Sequence, residues 1–316
     1  MNPYFFTMKK QKLNFQEQIA HIESKGISFS LITKEEAEKF LSESNSYFRI
    51  KSYCKNYSKF PSTQPNPGKY INLDFLYLKE LSILDFRLRR ILLKLVIDIE
   101  HKLKTMLLCK VTNNNEDDGY TIVKDFMKQK STCQIDIENA CKNKNNYTYA
   151  LAEKYKPDYP VWCFIELLSF GNFIKFYEFY NKTFYPDDKD KIEKLLWNIR
   201  IIRNAVAHNN CLLNNISLKD KIQKNYNLSQ ILSTLSYTKN LYKQNKNKKL
   251  LYDIIAVLYV YFSITTNEDH KTEIKNELEE KIYNRVTQNG YFIKNKDISD
   301  FFELLKIVTI HFKEIT

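Results

Sequence analysis

Between Leu81 and Met106, apolar residues recur every three or four positions: Leu81, Leu84, Leu88, Ile91, Leu95, Ile99, Leu103 and Met106. This spacing holds one stripe in line along a 3.6-residue repeat. It predicts a single long helix starting near Asn72, with room for a bend, that buries one continuous face. A second stripe, Leu195, Ile199, Ile202 and Val206, has intervals of four, three and four, and predicts another amphipathic helix, opened by Asp187 and Asp188. Asn14 with Glu17 and Thr33 with Glu36 stand at capping-box spacing. They predict one helix carrying Phe15, Ile19 and Ile22 and ending at Gly26, and a second carrying Ala37, Phe40 and Leu41. Asp158 and Pro160 suit a further helix start, and Ser169-Phe170-Gly171-Asn172 predicts a break that leaves two tightly joined helices. Residues 120–156 read as helical with weaker periodicity, and three more helices are expected over about 249–265, 268–288 and 298–312.

No stretch alternates with period two over several strands, so the expected fold class is all-α, a multi-helix bundle. The punctuation divides the chain. "FPSTQPNPGKY" holds three of the seven prolines and one of the five glycines, and closes an N-terminal helical region at residues 1–70. A helical core follows over 71–216, broken by the polar run Thr112–Gly119. After Asn215 the periodicity fades until about Leu228, and a C-terminal helical region is expected over 217–316, with "YKQNKNKKLL" as a basic, solvated connection. There is no internal repeat.

Composition narrows this picture. Apolar residues make up 43% of the 316, enough for a packed core, and the scarcity of glycine argues against an all-β chain with many tight turns. The formal net charge is +12, which favours a polyanionic partner, RNA or DNA first. The six cysteines are scattered, with no CxxC and no histidine at zinc-ligand spacing. Free thiols in a reducing cytosol are the expectation, with no metal and no cofactor. The N-terminus has no continuous apolar core of a signal peptide, and Ile254–Ile264 is too short to cross a bilayer. A soluble cytoplasmic protein is expected. No GxxxxGK[ST] or GxGxxG loop is present, against an ATPase or a dinucleotide enzyme, and no paired His/carboxylate motif points to a two-metal nuclease.

The second stripe ends in "IRIIRNAVAHNN", which sets Arg203, Asn204 and His208 at its end. An arginine near a helix C-terminus is ordinary, because cations favour that end, so the pair alone says little. In its setting, Arg-Asn-x3-His at the end of an amphipathic helix in a basic all-α chain resembles the signature of the HEPN ribonucleases. The wider sequence resembles the Abi-like (AbiD/AbiF-type) abortive-infection family of bacteria. Asn214 stands six residues after His208, as in that family. "NSYFRIKSY" is similar to its Asn-Tyr-Tyr-Arg-Leu…Tyr segment through Asn45, Tyr47, Arg49 and Tyr53, departing at Ser46 and Phe48. The long helix is similar through Asp85, Leu88, Arg89 and Glu100, with Lys104 where the family has an arginine. "PVWCFIELLSFG" matches through Pro160, Trp162, Glu166, Ser169, Phe170 and Gly171. The last hundred residues carry no matching motif.

The resemblance implies a HEPN-like core with helical extensions and metal-independent cleavage of RNA, in anti-phage defence. RNA brings its own nucleophile, the 2′-hydroxyl. Cleavage then needs a base for that proton, an acid for the leaving 5′-oxygen and a cation beside the crowded phosphorane. His208 suits the proton steps, Arg203 suits the phosphate, and Asn204 is a candidate for orienting His208 or the sugar. The products would be a 2′,3′-cyclic phosphate and a free 5′-hydroxyl, and DNA would survive. Five residues subtend about 140° on an ideal helix, so Arg203 and His208 do not share a face unless the helix ends or distorts between them. The family's solution is two copies of the motif facing each other, so a homodimer is expected, with the 195–210 helix in its interface. Asp85, Arg89 and Glu100 are candidate supporting residues. Asp85 and Arg89 can equally form a simple i,i+4 pair. Tyr47, Arg49 and Tyr53 are candidates for RNA binding, by stacking and phosphate contact, or for packing of the N-terminal helices. Trp162, Phe170 and Gly171 read as core and turn residues, and His21, His101, His270 and His311 as surface or structural ones. RNA is the expected partner, as substrate and as a regulatory non-coding RNA. The alternatives are a non-catalytic RNA-binding dimeric scaffold and a structural partner of another defence protein.

Overall fold

A computed structural model describes residues 11–187, 192–219, 228–229, 232, 241, 245 and 248–311. The fold is all-α. The only strands among the described residues are two of two residues each, Ile27–Ser28 and Leu73–Asp74, paired in parallel.

The N-terminal region is α1 (Phe15–Ser24), α2 (Lys34–Glu43) and α3 (Tyr47–Tyr53). Both capping boxes form: the Asn14 side chain accepts from the Glu17 N–H while Glu17 accepts from the Asn14 N–H, and Thr33 and Glu36 do the same. Each cap is worth about 1 kcal/mol. Gly26 ends the first helix at φ +81°, and a Cβ there would stand 2.7 Å from the Lys69 Cβ, so the turn needs glycine on both counts.

The predicted long helix is α4, Phe75–Asn113, 39 residues and about 58 Å at 1.5 Å per residue. Asp74 starts it, accepting from the Leu76 N–H through one oxygen and from Ser28 and Ser30 through the other, which staples the first helices to its N-terminus. Its stripe from Leu81 to Leu103 is buried as expected. At the far end the burial passes to Leu107 and Val111, with Met106 half-buried.

Residues 120–156 resolve into three short helices, α5 (Thr121–Gln129), α6 (Thr132–Lys142) and α7 (Tyr149–Tyr155). Pro160 caps α8 (Val161–Leu167), and the break at Ser169 leads into α9 (Phe170–Phe184). The start of α9 has no cap from its own side chain. Asp136 of α6 supplies it, accepting from the Ser169 N–H and the Asn172 amide.

The next helix begins later than the acidic pair implies. Asp187 lies in a turn and Asp188 outside the described residues; a 3₁₀ turn, Glu193–Leu195, leads into α10, Leu196–Ala207. Burial of Leu195 and Leu196 sets this start, with no capping side chain.

Of the C-terminal helices, Lys249–Ile264 is almost wholly buried and packs against both α4 and α10. Asn198 of α10 donates to its buried Asp253 at 2.7 Å. Glu268–Leu278 continues through a π turn at Glu279–Tyr283 into Asn284–Gln288, so the helix expected over 268–288 forms with a π turn inside it. The last, Lys296–Ile310, starts two residues before the expected position, capped by Asn295. Arg285 grips Glu80 of α4 through two bonds of 2.9 Å. The described C-terminal helices therefore share one core with α4 and with α10, which carries the motif. Half of "YKQNKNKKLL" lies outside the described residues; of the rest, Asn245 and Lys248 are buried and Lys249, Leu250 and Leu251 open the next helix, so the solvated connection expected there does not extend to them. No helix among the described residues is long and apolar enough to cross a membrane, and all six cysteines are free.

Candidate active site

The stripe of α10 settles where its cations go. Ile199, Ile202 and Val206 fill the core, which leaves Ile201, Asn204 and His208 (intervals of three and four) on the opposite, outer side. Arg203 lies between these two sides and faces α4, where its Nε stands 3.6 Å from Glu100 Oε2. The guanidinium is about a third exposed and the carboxylate less so.

His208 is the first residue beyond the helix. The Asn209 N–H bonds to Val206 O and the Asn210 N–H to Ala205 O, while Asn209 takes φ +55°. This is a Schellman ending with asparagine in the left-handed position usually held by glycine. His208 itself keeps a near-helical backbone (φ −86°, ψ 9°). The angular offset from Arg203 therefore persists: one side chain leans onto α4 and the other points outward. The imidazole is exposed, and neither it nor the half-buried Asn204 side chain has a hydrogen-bond partner among the described residues.

The segment after His208 is clamped. Asp85 is fully buried on α4, and its Oδ1 accepts from the Leu212 and Leu213 N–H groups, both at 2.8 Å. Its Oδ2 accepts from the Tyr53 hydroxyl and from Arg89 Nε, both at 2.9 Å. Burial pushes the Asp85 carboxyl upward, while the Leu213 N–H, the Arg89 charge and the Tyr53 hydroxyl oppose that rise. Burial, reinforced by the Asp85 charge, raises the Tyr53 hydroxyl far enough that it remains a donor. Asn56 adds two bonds, donating to Leu213 O at 2.7 Å and accepting from the Ile216 N–H at 2.8 Å. Arg49 Nη1 donates to Asn209 O at 2.7 Å.

These contacts sort the expected site residues. Arg203 and Glu100 meet directly. Asp85 and Arg89 form the i,i+4 pair, and the pair also anchors the backbone just past the motif. Tyr47, Arg49 and Tyr53 do not act as one surface. Arg49 reaches the motif. Tyr53 is buried against Asp85, so no base can stack on it, which corrects the RNA-contact expectation for that residue. Tyr47 turns the other way and bonds to His21 Nδ1 at 2.6 Å, so His21 has a partner after all. Trp162 is 44% exposed and lies edge-on to Tyr120, where a core position was expected. Gly171 does sit at a tight approach: a Cβ there would stand 2.5 Å from Arg200 Nε. Lys104 pairs with Glu166 at 2.9 Å, joining two of the sequence blocks across helices.

Asn209 and Asn56 escaped the sequence reading. For Asn209 a signal exists, since Asn-Asn directly after the last stripe residues is a helix-stop pattern. Asn56 has none, because its partners lie more than 150 residues away.

An all-α bundle with a cationic helix end clamped onto a long central helix defines the class of protein. A model of the Abi-like protein family matches residues 39–214, more than half of the chain, and the chain belongs to that family. The matched region takes in α3 through α10 together with the clamped Leu212–Leu213 segment. The family points to abortive infection, a form of phage defence. No curated protein and no solved structure matches.

Proposed function

We propose that this Abi-like protein is a metal-independent HEPN endoribonuclease acting in abortive infection, with its active site built from two copies of the chain. The observation that carries the reading is the arrangement of the α10 end, where Arg203 is steadied by Glu100 and His208, without a hydrogen-bond partner among the described residues, projects from a capped helix whose exit is anchored by Asp85. Cleavage by 2′-hydroxyl attack needs a fixed cation for the phosphorane and an accessible imidazole for the protons. Glu100 holds the guanidinium by its Nε side, which leaves the terminal nitrogens for phosphate oxygens. Asn204, on the same outer side as His208, is the group placed to orient the ribose or the ring.

Two features support a homodimer. Within one chain Arg203 and His208 diverge, so one phosphodiester meets both groups most readily when each comes from a different subunit. On the two helices that meet at Arg203 and Glu100, Phe86 and Ile97 of α4 and Ile201 of α10 are 51%, 54% and 43% exposed. Three large exposed apolar side chains on these helices suit burial against a second copy. The charge of +12 supports RNA as the partner, substrate and regulatory RNA alike.

The test is incubation of purified protein with single-stranded RNA in excess EDTA. Fragments ending in 2′,3′-cyclic phosphate, with DNA of the same sequence intact, are expected. Intact RNA under activating and non-activating conditions alike would favour a binding scaffold.

A further inference from the structure

A cavity of about 270 Å³ lies between α1, α3 and the strand-like segment around Tyr70, on the side of α3 away from the motif. Its size is near the lower end for small-molecule sites, roughly 300–1,000 Å³. The floor is aliphatic, from Ile22, Ile50 and Leu78. Two tyrosine rings, Tyr47 and Tyr70, stand in its wall, with the Lys51 ammonium 5.8 Å from the first ring centroid and that of Lys59 4.7 Å from the second. Lys25 completes the rim.

The charge pattern is one-sided. No aspartate or glutamate lines this cavity, and none of the three lysines has a carboxylate partner among the described residues. A second cavity, of about 890 Å³, differs: there Lys248 pairs with Asp297 and Lys296 with Asp300. The lysine charges are felt inside the smaller one. His21 is shifted downward by burial and then by Lys51 and Lys25, and Lys51 and Lys59 both oppose the burial that pushes the Cys54 thiol up to about 11. Three uncompensated ammoniums over an aliphatic and aromatic floor ask for a ligand with a flat, apolar body and a multiply charged anionic end.

We infer that this cavity binds a nucleoside phosphate, its base on the Tyr47 and Tyr70 side and its phosphates on Lys25, Lys51 and Lys59. Two sources share that chemistry, a free nucleotide and the phosphorylated 5′ end of an RNA. Binding here does not depend on cleavage, so it stands or falls separately from the nuclease reading.

The experiment is calorimetric titration of the full chain with ADP, with pyrophosphate, and with one short RNA bearing either a 5′-phosphate or a 5′-hydroxyl. The variant is Lys51→Gln with Lys59→Gln, both exposed positions whose exchange leaves the core untouched; circular dichroism verifies the fold. Wild type is expected to bind ADP, or the 5′-phosphate RNA in preference to its hydroxyl form, about tenfold more tightly than the double variant does. ADP binding assigns a free nucleotide, and preference confined to the RNA assigns its end. Three results would overturn the inference: no binding of either probe at millimolar concentration, equal binding by wild type and variant, or pyrophosphate binding as tightly as both.

Discussion

Asp85→Ala is expected to lower the stability of the protein by about 3–5 kcal/mol, the cost of leaving one member of a buried ion pair alone. Asp85 is the acceptor for four donors: two backbone N–H groups, the Tyr53 hydroxyl and the Arg89 guanidinium. Alanine strands them all, and the Arg89 side chain is only 8% exposed, so its charge has little water to turn to. A loss of this size is a large part of the roughly 5–15 kcal/mol that holds a typical domain together. Asp85→Asn keeps an acceptor oxygen but removes the charge, and belongs between wild type and alanine. Urea unfolding followed by circular dichroism measures both. An Asp85→Ala midpoint within error of wild type would show that the four bonds are not what secures the Leu212–Leu213 segment.

The second large effect is on chemistry. His208→Ala is expected to reduce RNA cleavage by about 10²–10⁴-fold, the usual contribution of a positioned general acid–base group. The side chain is exposed and makes no hydrogen bond with the described residues, so its removal opens no cavity and breaks no bond. The unfolding midpoint should stay unchanged, and so should RNA binding, because the proposed mechanism assigns the phosphate contacts to Arg203 and the basic surface. This separation of activity from stability is the reverse of the Asp85 result. A variant that cleaved RNA at the wild-type rate would remove His208 from the mechanism.

The α4 and α10 stripes, both capping boxes and the α8–α9 break were legible in the sequence because each depends on neighbours within one or two turns. The Asp187–Asp188 start was misleading: acidic residues favour a first helical turn by tenths of a kcal/mol, and burial of Leu195 and Leu196 outweighs that. The π turn at Glu279–Tyr283 was not legible either, since it arises where Ile282 and Tyr283 are drawn into a core supplied by other helices. At the candidate site, the family resemblance pointed to Arg203, His208, Asp85 and Glu100, since the Arg-His spacing alone says little. It did not reveal that Tyr53 turns inward to Asp85 while Tyr47 turns to His21, because adjacent turns of a short helix present different faces to different partners. The C-terminal helix Lys249–Ile264 lies within a residue of the bounds expected from the sequence, but its packing on the motif helix was not legible there.

Shared construction of the active site by two chains is tested most directly by mixing two inactive variants, Arg203→Ala and His208→Ala, through co-expression in equal amounts. If each site draws its guanidinium from one subunit and its imidazole from the other, half of the randomly paired dimers hold one intact site of two, and cleavage returns to about a quarter of the wild-type level. A mixture that forms mixed dimers yet stays as inactive as either variant alone would contradict the account.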